Sequence, residues 1–127
     1  MLKNILIVSS GGLIGTLGRY LCLVAVNRYF PALTFPLGTL IVNVVGCLII
    51  GFLGGLGANK QLFAESGRLF LFTGILGGFT TFSAFGLETF YMIRTFQWNY
   101  LFLNVFLQLF LGLGAVALGY WLSEFIN

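Results

Sequence analysis

The stretch "GGFTTFSAF", Gly77 to Phe85, lies inside an otherwise apolar run and lacks the composition of a plain membrane helix. Two glycines, three hydroxyl side chains and three phenylalanines stand where lipid-facing Leu and Ile are the usual residues. With Gly74 just upstream ("GILGGFTTFS"), three glycines precede a Thr pair, and the helix is predicted to unwind near Gly77 to Thr81. A second half-helix then starts near Phe82 and runs to about Arg94, with Thr81 or Ser83 as its N-cap. Backbone groups freed by such a break must be satisfied by protein, water or an ion. Half-helix ends at mid-membrane offer N–H groups to anions and carbonyls to cations. A glycine kink that lets another helix pass close by is the simpler alternative, and both readings stand on the residues alone.

The surrounding chain is that of an integral membrane protein. Its 127 residues are 59% hydrophobic and 7% charged, against about a quarter charged in soluble domains. Four apolar runs lie between the charges: Asn4 to Val26, Leu37 to Leu56, Leu69 to Ile93, and Tyr100 to Ile126. About 20 residues cross a hydrocarbon core as a helix, whereas strands are shorter and alternate. The predicted fold is therefore all-α: one transmembrane domain over residues 1–127, with four spanning helices and the third broken near its middle.

The first run is followed by no small-residue cleavage site, so it reads as a span and not as a secretory signal. Tyr29, Phe30, Trp98, Tyr100, Tyr120 and Trp121 fall at span ends, where amphipathic rings favour the headgroup layer. Cys22 and Cys47 lie inside spans and read as small buried packing residues, not as a disulfide framework.

Orientation follows an excess of Lys and Arg on the cytoplasmic side, and this chain shows none. With the N-terminus inside, Lys3, Lys60 and Arg68 face inward, while Arg28 and Arg94, plus Arg19 if it snorkels outward, face outward. The expectation is insertion in both directions and pairing of opposite copies as an antiparallel homodimer. Glycines supply close helix contacts: Gly11, Gly12 and Gly15 in span one, Gly46 and Gly51 in span two, Gly112, Gly114 and Gly119 in span four.

Polar residues at membrane depth usually face a bundle interior. Thr39 and Asn43 lie one turn apart in span two, with Gly46 on the same side. Asn104, Gln108 and Gly112 share a face of span four at i, i+4 and i+8. Span three adds Thr80, Thr81, Ser83 and, two turns after Thr81, Glu88. Taken singly these are interhelical hydrogen bonds; three aligned tracks also describe a polar pathway across the membrane. Phe82 and Phe85 fall on one side of the second half-helix, and a ring edge turned to a pathway is a weak anion ligand. With no His, no Asp and only Glu65, Glu88 and Glu124 as acids, neither a metal centre of side chains nor a paired-carboxylate site assembles. Ser9, Ser10 and Ser83 have no base to activate them. The chain is expected not to be an enzyme, and nothing in it suggests nucleic-acid binding.

"GGLIGTLGRY" (Gly11 to Tyr20), "PLGTLIVNVVG" (Pro36 to Gly46) and "GGFTTFSAF" together resemble the three signature segments of the small fluoride-exporting channels of the Fluc or CrcB family. The resemblance spans about three quarters of the chain. It implies an antiparallel, dual-topology homodimer in the plasma (inner) membrane, with two pores that pass fluoride down its gradient and give fluoride resistance. Asn43 matches the family's pore asparagine, and Phe82 and Phe85 its paired pore phenylalanines. Thr39, Thr81 and Ser83 are implied donors or supports beside the pore, and Asn104 and Gln108 stand in its polar track on the fourth span. Arg19 matches a vestibule arginine, where a full charge draws anions in; an ion pair with Glu88 or Glu124 is the alternative role. Gly77 and Thr80 match positions whose backbone carbonyls hold a structural sodium ion at the dimer interface. Two departures stand out. Ala84 replaces a small hydroxyl residue, and Asn104, Gln108 and Gly112 stand where serine-type residues are expected, Gln108 being long enough to narrow or gate the polar track.

Two rival functions remain. A small dual-topology, proton-coupled exporter of hydrophobic cations needs a membrane carboxylate, for which only Glu88 is available. A structural subunit of a larger complex fits the composition but leaves the polar tracks unexplained.

Overall fold

Four helices, each long and apolar enough to cross a membrane, carry the chain: Leu2–Tyr29, Leu37–Gly57, Glu65–Arg94 and Trp98–Glu124. They are seen in a computed structural model that describes residues 1–60 and 63–126. Each element among the described residues is helical. The elements are α1 (Leu2–Tyr29), α2 (Leu37–Lys60), then α3 (Glu65–Arg68), a π-helix (Leu69–Leu76) and α4 (Gly77–Phe79), followed by α5 (Phe82–Arg94) and α6 (Trp98–Glu124). The all-α, four-span expectation holds, with helices a few residues longer at most ends than the apolar runs. At 1.5 Å per residue α1 and α6 are about 40 Å long, more than the roughly 30 Å hydrocarbon core. The Lys60 side chain, counted above among the inward charges, lies outside the described part.

Helix pairing follows the glycines. α2 packs along α6, and α1 packs along the π-helix and α4. A Cβ on Gly11 would stand 2.6 Å from the Phe70 carbonyl oxygen, and one on Gly78 would stand 2.7 Å from that of Gly12. Gly51 and Gly119 likewise meet the Val116 and Leu48 carbonyls on the facing helix. The expected contact faces are therefore real; Gly12 takes part through its backbone against Gly78, although a Cβ of its own, like one on Gly114, would meet nothing within 4 Å. The buried apolar core is small (Leu40, Val42, Leu76, Met92 and Ala115), and most large apolar side chains point outward. That distribution suits a solvent of lipid rather than water.

Span three is broken within the expected stretch, at its Thr80–Thr81 end, and α5 starts at Phe82 as expected. The helix does not unwind at Gly77; it continues through α4, and the extended residues are Thr80 (φ −79°, ψ 159°) and Thr81 (φ −150°, ψ 113°). β-branched residues favour extended backbone, whereas Gly78 serves close approach to α1. Thr81 caps α5, its hydroxyl accepting the Ala84 N–H at 3.2 Å, as a Thr N-cap should. The preceding eight residues form the π-helix, a feature with no counterpart in the sequence reading. The Gly77 N–H reaches back to the Phe72 carbonyl, five residues away. Cys22 and Cys47 are free thiols, half-buried rather than sealed in the core.

Between α5 and α6 the chain turns through Phe96, whose φ of 57° is left-handed. The Phe96 N–H bonds Ile93 O and the Gln97 N–H bonds Met92 O at 2.9 Å. This is a Schellman closure with phenylalanine where glycine is usual.

Candidate functional site: the groove at the helix break

The break is held by one side chain. Asn43 on α2 donates from Nδ2 to the Thr81 carbonyl (3.1 Å) and accepts the Thr81 N–H on Oδ1 (2.9 Å). A single carboxamide thus satisfies both backbone groups of an extended residue at membrane depth, as the absence of water there demands. The remaining Nδ2 hydrogen goes to Gln108 Oε1 on α6, at 3.1 Å. Three of the predicted pathway residues, from three different spans, are joined in this chain of bonds.

They line a groove of about 370 Å³ that also carries Gly46, Cys47, Gly77, Thr80, Phe82 and Phe85. The two rings stand 5.5 Å apart between centroids, at 58° to each other. Phe82 is 82% exposed, free to meet lipid or another chain. The groove is lined by carboxamides, hydroxyls, a thiol and phenylalanine rings, with no charged side chain among them. Such a lining offers partial positive charge without a fixed cation, the kind of binding a small ion can leave.

A second polar cluster lies one turn away on α2. Thr39 donates to Glu88 Oε1 at 2.5 Å, while Glu88 Oε2 is buried without a partner. Thr39, Glu88, Asn27 and Ala84 line a separate cavity of about 280 Å³. At the opposite end of α2, Gly54 and Gly57 with Arg68, Phe72 and Thr73 border a larger cavity of about 960 Å³. The three cavities therefore follow one another along α2. Phe72 is common to the large cavity and the groove.

These features coincide with a family. The family described as CrcB-like protein, Camphor Resistance (CrcB), matches residues 6–120. The chain belongs to it. A relative from Azobacteroides pseudotrichonymphae, named fluoride-specific ion channel FluC, is 39% identical over 98% of this chain and 99% of its own length. Proteins of the same name from Opitutus terrae (44% identical, 96% of this chain, 93% of the relative) and Desulfotalea psychrophila (42% identical, 95% and 92%) are similar over comparable lengths. A multi-pass membrane protein is what the four spans and the CrcB family together describe.

Within this member of the family, the remaining predicted residues are distributed unevenly. Ser83 sits at the groove's edge, sharing a hydrogen bond with the Thr81 hydroxyl at 3.3 Å. Arg19 turns toward the break. Its guanidinium donates to the Thr80 carbonyl at 3.3 Å, beside the break, and bonds neither Glu88 nor Glu124. Removing it from the outward count leaves three charges against two. Asn104 is fully buried away from the groove, between α5 and α6. Its Nδ2 donates to the Thr89 hydroxyl (3.1 Å), which in turn donates to the Phe85 carbonyl (2.7 Å). Thr89 was not singled out from the sequence; its i−4 relation to Phe85 is the signal that points to it.

Proposed function

We propose that the protein is a fluoride-selective channel of the plasma membrane, passing fluoride passively down its gradient and so giving fluoride resistance. The observation that carries this reading is the groove itself: Asn43, Thr81, Gln108, Phe82 and Phe85, drawn from α2, α5, α6 and the break, converge on one lining with no fixed charge. Fluoride is small and hard, and it surrenders water only to good hydrogen-bond donors. Amide and hydroxyl donors with ring edges meet that need, and binding stays weak enough for release. The names of the curated relatives point the same way. The succession of cavities along α2 supplies a route on either side of the groove.

The working unit is an antiparallel homodimer of oppositely inserted copies with two pores. The small buried core and the exposure of Phe82 support it, since both leave apolar surface for a second copy. A structural sodium ion belongs between the copies, held by the Gly77 and Thr80 carbonyls. Their chemistry fits. The Thr81 N–H, which a continuous helix would give to Gly77 O, goes to Asn43 instead, so the Gly77 carbonyl is released. The Thr80 carbonyl lies outside both half-helices, and the Arg19 guanidinium takes only one of its two lone pairs. Carbonyl oxygens are hard ligands suited to such a cation.

The test is fluoride efflux from liposomes holding the purified protein, read with a fluoride electrode and controlled with chloride. Fast fluoride loss without chloride loss is expected, insensitive to a proton gradient. Dependence on that gradient would favour the exporter reading through Glu88, the membrane-embedded acid with a free oxygen. Phe82→Ile and Phe85→Ile should each slow fluoride, and normal flux in both would remove the ring-edge role. Terminal labelling of intact cells should reach the N-terminus from both faces.

A further inference from the structure

The large cavity and the groove meet at a single side chain. On α2 the cavity of about 960 Å³ stops at Leu53, and the groove of about 370 Å³ starts at Ile50, one turn away. On the third span the cavity is bordered by Arg68, Leu69, Phe72 and Thr73, and the groove by Phe72, Leu76 and Gly77. Among the described residues Phe72 alone belongs to both linings. Its ring therefore stands at the level where one space ends and the other begins. Two contacts hold it there. The Arg68 guanidinium carbon lies 5.9 Å from the ring centroid, within cation–π range. Phe63 meets the ring edge-on, at 6.4 Å between centroids and 75° between planes. Both partners line the large cavity and neither lines the groove.

We propose that Phe72 is a hydrophobic gate between the large cavity and the groove, with Arg68 and Phe63 as the latch that holds it shut. The proposal rests on the channel reading above and adds to it a residue that binds no ion. An apolar constriction stops an ion by excluding its water, and a phenyl ring set between two open spaces is such a constriction. The same two spaces let it open. A core ring at native packing density has nowhere to turn, whereas Phe72 is half-buried, with a cavity on each side. Its backbone stays fixed meanwhile, because the Phe72 carbonyl accepts the Gly77 N–H at the end of the π-helix. The latch is weak by design of its parts: Arg68 is exposed, and a cation–π contact at an exposed site is easily broken.

A thiol already in the groove reads the gate. Cys47 is free and lines the groove, so the rate at which it is labelled reports passage beyond Phe72. The protein, in a Cys22→Ser background in liposomes, is treated with two methanethiosulfonates of opposite charge, trimethylammonioethyl and sulfonatoethyl, beside fluoride flux read by electrode. Phe72→Ala should speed Cys47 labelling roughly tenfold or more, the combined size of one aromatic edge contact and one cation–π contact. Phe72→Trp, which fills the passage, should slow both labelling and fluoride flux. Arg68→Gln should speed labelling by about two- to fivefold with both reagents. Speeding confined to the cationic reagent reports lost charge alone and overturns the latch. Phe72→Trp and Arg68→Gln keep the test decisive if the alanine variant fails to assemble. Labelling unchanged by these substitutions, with wild-type fluoride flux, overturns the gate alone. Gated labelling in a folded wild type that passes no fluoride overturns the channel reading instead.

Discussion

Replacing Asn43 with leucine keeps the size of the side chain and removes three hydrogen bonds at once. Interhelical side-chain bonds in a bilayer average about 0.6 kcal/mol, so two of the three lost bonds amount to roughly 1 kcal/mol. The third is different, because it leaves the Thr81 N–H in an apolar surround with nothing to accept it. An orphaned buried donor costs about 1–3 kcal/mol. The total is a destabilisation of about 2–4 kcal/mol, concentrated at the break. Unfolding in mixed micelles with increasing SDS, followed by Trp98 and Trp121 fluorescence, measures the loss. Amide exchange at Thr81 localises it: slow in the wild type, fast in the variant. An Asn43→Leu protein within about 0.5 kcal/mol of wild type, with Thr81 still protected, would refute the brace and everything argued from it.

Neighbouring glycines on α1 make a matched pair for the packing argument. Gly11→Ala drives a methyl against the Phe70 carbonyl and should cost about 1–3 kcal/mol, while Gly12→Ala meets open space and should cost nothing or gain slightly; the same SDS titration compares them. Phe96→Gly removes left-handed strain of about 1–2 kcal/mol and loses an edge contact with Trp98 worth about 0.5–1 kcal/mol. A net gain of about 0.5–1 kcal/mol is expected in thermal unfolding. Asn104→Leu removes one bond to Thr89 and also an acceptor, Oδ1, that has no partner. Its stability should stay within about 1 kcal/mol of wild type, whereas Asn104→Ala opens a cavity and should cost about 2 kcal/mol or more.

The spans were legible because membrane crossing is a matter of length and polarity, which a sequence states directly. The N-cap at Thr81 was legible for a similar reason: capping is local chemistry between a hydroxyl and an N–H three residues on. The break was legible to within the stretch Gly77 to Thr81, but which of its residues unwind was not, because glycine carries two meanings. At Gly78 it permits close approach to Gly12 rather than unwinding, and only the partner helix decides between them. Asn104 and Gln108 do share a helical face, yet residues four apart differ by about 40° and 6 Å of rise. That offset is enough for α5 to take one and α2 the other. The π-helix had no signature at all, since closing a bond to the fifth residue instead of the fourth leaves no mark on the composition of Leu69–Leu76. Arg19 was misdirected by its nearness to a span end, which says nothing about a carbonyl on another helix.

The π-helix also gives the third span a slack link. Its turns take in about one residue more than α turns do, so a single residue deleted within Leu69–Leu76 has somewhere to come from: the segment can tighten to α while both flanks keep their register. The same deletion between Gly77 and Phe79 has no such reserve. It would swing Thr80 and Thr81 by about 100° around the helix axis, out of reach of Asn43. Changes of chain length in this span are therefore absorbed on one side of the groove and fatal to it on the other.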